Sequence, residues 1–494
     1  MIVKFRDART GAKLQLEDLP RQIVPPLPAR RRCGNVVWMR SLLRRPALVI
    51  AMAAFLLYNL NLRPMSGGDS APAALLPLAI WLDGTITLDR YAPWLEARYP
   101  SGAYFLIRKG AHYYSSYPLA QPLLLAPLYA PLALAPGLRA WPVARLVLLA
   151  RILEKLAASL VAAAAVALFY CLARRCTGAK RAMWLAVVFA FGTSIWSISS
   201  QALWQHGMGQ LLIIASLWCL HRCLAGEGCR LAWAGAGLCA ALSMAVRPTN
   251  LLFLAACVAV LAAGRRWRLL ASFVLFGVTI GAAVGAYNLA VFGRLSGWYG
   301  NAFGGSFVEN LAGLLFSPGR GLFVYSPVLL FVFPGLCLWL RQEAGPERFL
   351  IAAAALFALA HTLLHAAWVG WWAGYCFGPR YVSEALPCLV LLLVPVLGWV
   401  QQARVARAAF LALAALSISV QFVGAFCYPR GQWNAKPVPV ERALERLWDW
   451  RDNPIWRELS AGVDFRGYGL LATLCSGGLE GLARELEAGG FHLQ

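Results

Sequence analysis

The chain has 494 residues, 60% of them hydrophobic and 14% charged, and its 45 Lys plus Arg outnumber 22 Asp plus Glu for a net charge of +23. A soluble domain is about 45–50% apolar and about 25% charged, so a soluble enzyme, a disordered chain and a collagen-like fibre are all excluded. No aromatic-interleaved basic patch or nucleic-acid motif accompanies the charge, so its meaning is membrane topology rather than a nucleic-acid partner.

Residues 1 to 45 carry eleven basic side chains, including Arg30, Arg31, Arg32, Arg40, Arg44 and Arg45. A basic flank before the first apolar run holds that end in the cytoplasm, against anionic lipid. The segment is too long and too basic for a cleaved signal peptide, so 46 to 62 stays as an anchor. Further apolar runs predict spans at 146 to 173, 182 to 199, 208 to 222, 231 to 246, 251 to 263, 269 to 291, 322 to 340, 349 to 368, 383 to 400 and 408 to 426, eleven in all. The loops then assigned to the cytoplasm hold Arg174, Arg175, Lys180 and Arg181; Arg222 and Arg230; Arg265, Arg266 and Arg268; Arg341 and Arg348; and Arg404 and Arg407. Every one is basic, as the positive-inside rule requires.

The expectation is an all-α integral membrane protein with about eleven transmembrane helices, the range being 11 to 13. The first outer loop, 63 to 145, contains two apolar stretches. PLAQPLLLAPLYAPLALAPGL at 118 to 138 is broken by prolines, and PAALLPLAIWL at 72 to 82 is short. Both are read as juxtamembrane helices that lie in the interface or dip and return, because each proline removes a helix hydrogen bond. The domains are a basic cytoplasmic segment 1–45, a polytopic domain 46–427 and a small outer segment 428–494 with eight basic and nine acidic residues.

Most of the thirteen cysteines lie in apolar runs and behave as small hydrophobes. The group Cys219, His221, Cys223 and Cys229 lacks a second Cys-x-x-Cys arm, so helix-end packing outweighs a zinc site. Ionisable groups near lipid are costly and mark function by default. On this topology Asp69, His206, Arg247, Arg320, Arg380 and Glu384 all fall at the outer face, which suits one outer-leaflet site fed by an anionic lipid. Asp69 sits in SGGDS directly after the first span, where glycines allow a tight turn that returns the carboxylate to the membrane surface. It is a candidate general base, the bland reading being a cap for the helix that follows.

The succession LPLAIWLDGTITLDRY, YYSSYPLAQPLLLAPLYAP, ALWQHGMGQ, AVRPTN, LLFSPGRGLFVYSP and WWAGYCFGPRYVSEALP, behind a GGDS loop, resembles bacterial polytopic glycosyltransferases of the GT-C superfamily. The nearer group is the dolichyl-phosphate-mannose-protein mannosyltransferase-like one, which also holds the lipid A aminoarabinose transferase. The resemblance covers roughly residues 40 to 430 as order and topology rather than one signature. It implies a GT-C-like fold, a polyprenyl-phosphate-linked sugar donor, a glycan, lipid or protein acceptor, and an essential acid best matched by Asp69. Asp83 and Asp89 are weaker matches that could orient the acceptor or bind a divalent cation; a turn and a cap explain them equally well. The paired acids of the protein mannosyltransferases are absent next to Asp69.

A phosphodiester donor implies arginines for its oxygens, since the guanidinium fork binds phosphate in pairs and keeps its charge. Arg380, Arg247 and Arg320 are the candidates, with Glu384 one helical turn beyond Arg380 as its orienter. Snorkelling is the alternative for Arg247 and Arg320. Gln205 and His206 suit hydrogen bonds to sugar or phosphate. His361 and His365 share a helix face but lack the glutamate of a zinc motif. Tyr117, with Tyr113 and Tyr114, could stack on a sugar, and interfacial aromatic belts explain these rings as well.

The reading is an inverting glycosyltransferase acting at the periplasmic face of a bacterial inner membrane, with no certain cofactor and a divalent cation left open. The alternatives are a transporter or flippase of an anionic lipid or lipid-linked sugar, which would place polar breaks at mid-membrane, and an O-antigen ligase or polymerase, which would carry its large loop late.

Overall fold

The computed structural model describes residues 45–63, 67–99, 102–298, 302–341 and 345–488. The basic stretch expected to hold the N-terminus in the cytoplasm lies outside the described residues. Helix α1 (Arg45–Asn59) ends shortly before a 3-10 turn, Gly68–Ser70, that presents Asp69. The turn runs directly into α2 (Ala71–Asp83), whose Pro72 takes a first-turn position where no N–H is needed. α2 stops at Gly84, whose φ of +68° closes the C-terminus in the left-handed conformation that glycine adopts without strain.

Ten residues of α2 are buried, so it is wrapped by protein rather than lipid. Burying Leu75, Leu76 and Leu78 contributes roughly 1.5–3 kcal/mol each. Its main partner is α4 (Ala120–Ala133), which carries Pro127 and Pro131 inside the helix. Trp81 Nε1 donates to the Ala126 carbonyl at 2.6 Å, joining the two. Between them come α3 (Ala92–Arg98) and an antiparallel hairpin of β1 (Leu106–Lys109) and β2 (His112–Ser115). The hairpin departs from the all-α expectation. Lys109 pairs with His112, leaving Gly110 and Ala111 as a two-residue loop, and Gly110 at φ +62° supplies the positive dihedral such turns need.

α5 (Val143–Thr177) has 35 residues, so it is about 50 Å long at 1.5 Å per residue against a bilayer core of about 30 Å. Its excess length carries a buried polar group. Arg151 meets Glu154 at 2.9 Å, Glu154 accepts the Leu203 N–H, and Lys155 Nζ donates to the Tyr58 carbonyl and to Gln201 Oε1, both at 2.7 Å. α6 (Ala179–Phe191) stops short of the expected 182 to 199, and a turn at Ile195–Ser199 finishes the segment. Thr193 Oγ1 bonds back to the Phe189 carbonyl, a side-chain competition that favours helix ends.

α7 (Gln205–Leu224), α8 (Arg230–Val246), α9 (Leu251–Ala263) and α10 (Trp267–Phe292) follow the expected runs closely. Small residues let α8 approach its neighbours: a Cβ on Gly237 would lie 2.5 Å from the Ser272 carbonyl oxygen of α10. α11 (Phe307–Phe316) precedes a segment broken by Pro327 into α12 (Leu322–Tyr325), a 3-10 turn and α13 (Val332–Leu340). α14 (Pro346–Ala366) is continuous. The run from 380 is a 3-10 turn, Arg380–Ala385, then α15 (Leu386–Leu391) and α16 (Val396–Gln402), bent by 61°. α17 (Arg404–Phe426) is the last long apolar helix.

The protein is mostly helical and membrane-embedded. Among the described residues five helices are long and apolar enough to cross a bilayer (α5, α7, α10, α14 and α17), with a sixth if the bent pair is one span. Most of the other expected spans are helices of 10–17 residues or broken pieces, shorter than the about 20 residues that cross a bilayer alone.

The C-terminal segment docks on the end of the first helix through α18 (Pro454–Ala461), Asp464 and α19 (Arg466–Ala488), which kinks at Gly478. Asp464 meets Arg63 at 3.4 Å and Arg466 at 2.7 Å. Glu458 accepts the Gly431 and Trp433 backbone N–H groups, fixing the chain around buried Trp433.

Candidate active site

Gly68 has no room for a side chain: a Cβ would lie 2.6 Å from Tyr104 Oη and 3.0 Å from Phe105. That close approach seats the Gly68–Ser70 turn under the loop before β1 and aims Asp69 into a cleft. Asp69 Oδ1 accepts from Tyr104 Oη at 2.6 Å and from Tyr117 Oη at 2.7 Å, while Oδ2 meets Arg380 at 2.7 Å. Burial would raise this carboxyl, but the Arg380 charge and the three hydrogen bonds outweigh it and hold Asp69 below the ordinary carboxylate value. Desolvation of the Tyr104 hydroxyl and the adjacent Asp69 charge push that phenol up, so it remains a donor.

The cleft has a volume of about 310 Å³, at the small end of the range for ligand pockets, and its lining includes Asp69, Tyr117, Gln205, His206, Arg247 and Arg380. Six of the sequence candidates, drawn from five separate segments, therefore converge on one cavity. Gln205 Nε2 and Arg380 Nε are buried without a protein partner. Tyr381 lies between the two guanidiniums, with its ring 5.5 Å from Arg247 Cζ and 5.9 Å from Arg380 Cζ.

Glu384 stands behind the cleft, fully buried, and its partner differs from the expected one. Its Oε1 meets Arg247 at 2.7 Å and His206 Nδ1 at 2.9 Å. Arg380 turns instead to Asp69 because residues 380–385 form a 3-10 turn, where about three residues per turn take the i+4 position off the shared face. His361 Nε2 lies 4.0 Å from Glu384 Oε2, and His365 Nε2 lies 3.3 Å from Arg247.

Arg320 does not reach the cleft. It donates to the carbonyls of Trp372, Gly319 and Gly374 and to Asn434 Oδ1, at 2.6–2.9 Å, which makes it a buried clamp on the loop after α14. Asp83 pairs with Arg90 at 3.0 Å, and Arg90 in turn donates to the Arg139 and Trp141 carbonyls. Asp89 accepts from Thr87, from the Tyr113 N–H and against His112 Nδ1, and so organises the hairpin. Neither carboxylate lines the cleft, Asp83 already holds a guanidinium, and Asp89 is taken up by the hairpin, a poor donor set for a hard divalent cation. Among the described residues, no group of three or more His, Cys, Asp or Glu is gathered as metal ligands.

Two features escaped the sequence reading. Tyr104 carries no motif, and only the turn at Gly68 brings it to Asp69. The charged triplet Arg151, Glu154 and Lys155 within a long apolar helix was a signal in plain view, since ionisable groups there need partners.

No protein-family model matches the chain, and no curated protein sequence matches it. Among solved structures, the crystal structure of ArnT from Cupriavidus metallidurans in the apo state is similar, with a TM-score of 0.51 and 14% identity over 93% of this chain and 75% of that one. The likeness is one of fold. It supports an ArnT-like arrangement of helices for this chain and carries no activity with it.

Proposed function

We propose that the protein is an inverting glycosyltransferase that moves a sugar from a polyprenyl-phosphate donor to an acceptor hydroxyl at the periplasmic face of a bacterial inner membrane. The observation that carries this reading is the Asp69–Arg380 pair at 2.7 Å in a polar cleft of a GT-C-like fold. Asp69 takes the proton of the attacking hydroxyl as the acceptor oxygen bonds to the sugar's anomeric carbon. The anomeric carbon–phosphate oxygen bond breaks, and the electron pair leaves on the polyprenyl phosphate. Arg380 and Arg247 stabilise that growing charge in a water-poor site, a contribution worth several kcal/mol. Gln205 and His206 hydrogen-bond the sugar or the phosphate, and Tyr117 holds Asp69 in place.

The eleven-crossing topology, with a cytoplasmic N-terminus and an outer C-terminal segment, rests on the basic loops and belongs to this proposal. So do the lipid-linked donor and the glycan, lipid or protein acceptor. The test is transfer by purified protein in lipid from a panel of radiolabelled polyprenyl-phosphate sugars to membrane acceptors. Transfer by the wild type that Asp69→Asn loses while still binding donor supports the reading. No transfer, but movement of lipid-linked sugar across the bilayer, overturns it in favour of a flippase.

A further inference from the structure

Asp69 Oδ1 is fully occupied as it stands. Two phenol hydroxyls fill Oδ1 and a guanidinium takes one position on Oδ2, so an acceptor hydroxyl that hands its proton to Oδ1 replaces one of the two phenols. Arg380 is tied to Asp69 by charge as well as by a hydrogen bond. Tyr117 is fixed on both sides by Ser115, whose Oγ accepts the Tyr117 N–H at 2.9 Å and donates to the Tyr117 carbonyl at 3.0 Å.

Tyr104 is differently held. The residue is 58% exposed, and its segment follows Gly102, which sits at φ +91° with open space where a Cβ would be. Its ring rests on the bare backbone of Gly68, while the neighbouring Phe105 is fully buried and anchors the chain behind it. Tyr104 is therefore the donor that can leave without disturbing the core.

We propose that the Tyr104 hydroxyl occupies the acceptor-hydroxyl subsite of Asp69, and that the acceptor binds by displacing this phenol outward from the cleft. The subsite takes a neutral hydroxyl on an unhindered carbon, since the space released is one phenol wide and is bounded by Gly68, Tyr117 and Arg380. The displaced ring remains at the rim, where it covers the acceptor. No bond is made or broken in the displacement; Asp69 exchanges one O–H donor for another.

This inference rests on the transferase reading, and the test separates the two. Acceptor KM, kcat and donor affinity are measured in lipid for the wild type, Tyr104→Phe and Gly68→Ala. Tyr104→Phe keeps the ring and removes only the competing O–H, so acceptor KM falls, by roughly tenfold at most for one hydrogen bond to a charged group, with donor affinity unchanged. Gly68→Ala puts a methyl against the phenol and shifts KM the same way; should it fail to fold, Tyr104→Phe alone decides. A wild type that transfers sugar while Tyr104→Phe leaves acceptor KM unchanged or raises it overturns the subsite and spares the transferase reading. A wild type that transfers nothing overturns both.

Discussion

Asp69 and Arg380 lie 311 residues apart and meet at 2.7 Å, closing the cleft from the Gly68–Ser70 turn on one side and from the bent helix pair on the other. The Asp69 side chain is 23% exposed and that of Arg380 12%, and both line the cleft. A pair placed this way can accept a proton on one partner and hold an anion on the other.

Replacing Arg380 by lysine keeps the charge and loses the planar fork. The expected result is a fall in affinity for a polyprenyl-phosphate donor of about tenfold, or about 1.4 kcal/mol, measured by equilibrium binding in detergent. Unchanged affinity would remove Arg380 from the phosphate site.

Glu384→Gln leaves the Arg247 charge buried without its carboxylate. Breaking a buried pair in this way costs about 3–5 kcal/mol, and a large drop in thermal midpoint is expected. Donor binding is expected to weaken as well, because Arg247 and His206 both lean on Glu384. A midpoint within a degree or two of the wild type would count against Glu384 as their support.

Arg320→Ala separates a structural arginine from a functional one. It strands buried carbonyls of Gly319, Trp372 and Gly374, with an expected stability loss on the order of 3 kcal/mol. Folded protein should bind donor as the wild type does. Loss of donor affinity in a folded Arg320 variant would return this residue to the phosphate site.

Asp69 predicts a pH dependence of definite sign. Its native pKa is lower than the 3.8 of the free side chain, so its paired form contributes stability that is fully present above about pH 4 and is lost as pH falls through the lower native value. In Asp69→Asn this acid-limb loss should disappear, as read from thermal midpoints between neutral pH and pH 3. In the transfer reaction the carboxylate is already ionised at neutral pH, so Asp69→Asn should reduce turnover by roughly 10²–10⁴-fold, typical of a lost general base.

The sequence by itself determined that this is a helical membrane protein, where most apolar segments run, and that polar groups at one face form the place to look. Those conclusions rest on composition, hydrophobic run length and loop charge, which are local quantities, and a local reading of Asp69 as a turn residue beside the membrane sufficed to single it out. Partnership was decided only by the tertiary structure. Local spacing paired Arg380 with Glu384, but a 3-10 turn rotated them apart, and each found a carboxylate or guanidinium more than a hundred residues away. Arg247 and Arg320 look alike in sequence, as single arginines between apolar runs. One lines a cavity and the other clamps carbonyls, because which backbone groups surround a guanidinium depends on how distant loops fold over it. Tyr104 was invisible for the same reason: its role comes from a glycine 36 residues earlier that lets the ring lie on the backbone and reach the carboxylate.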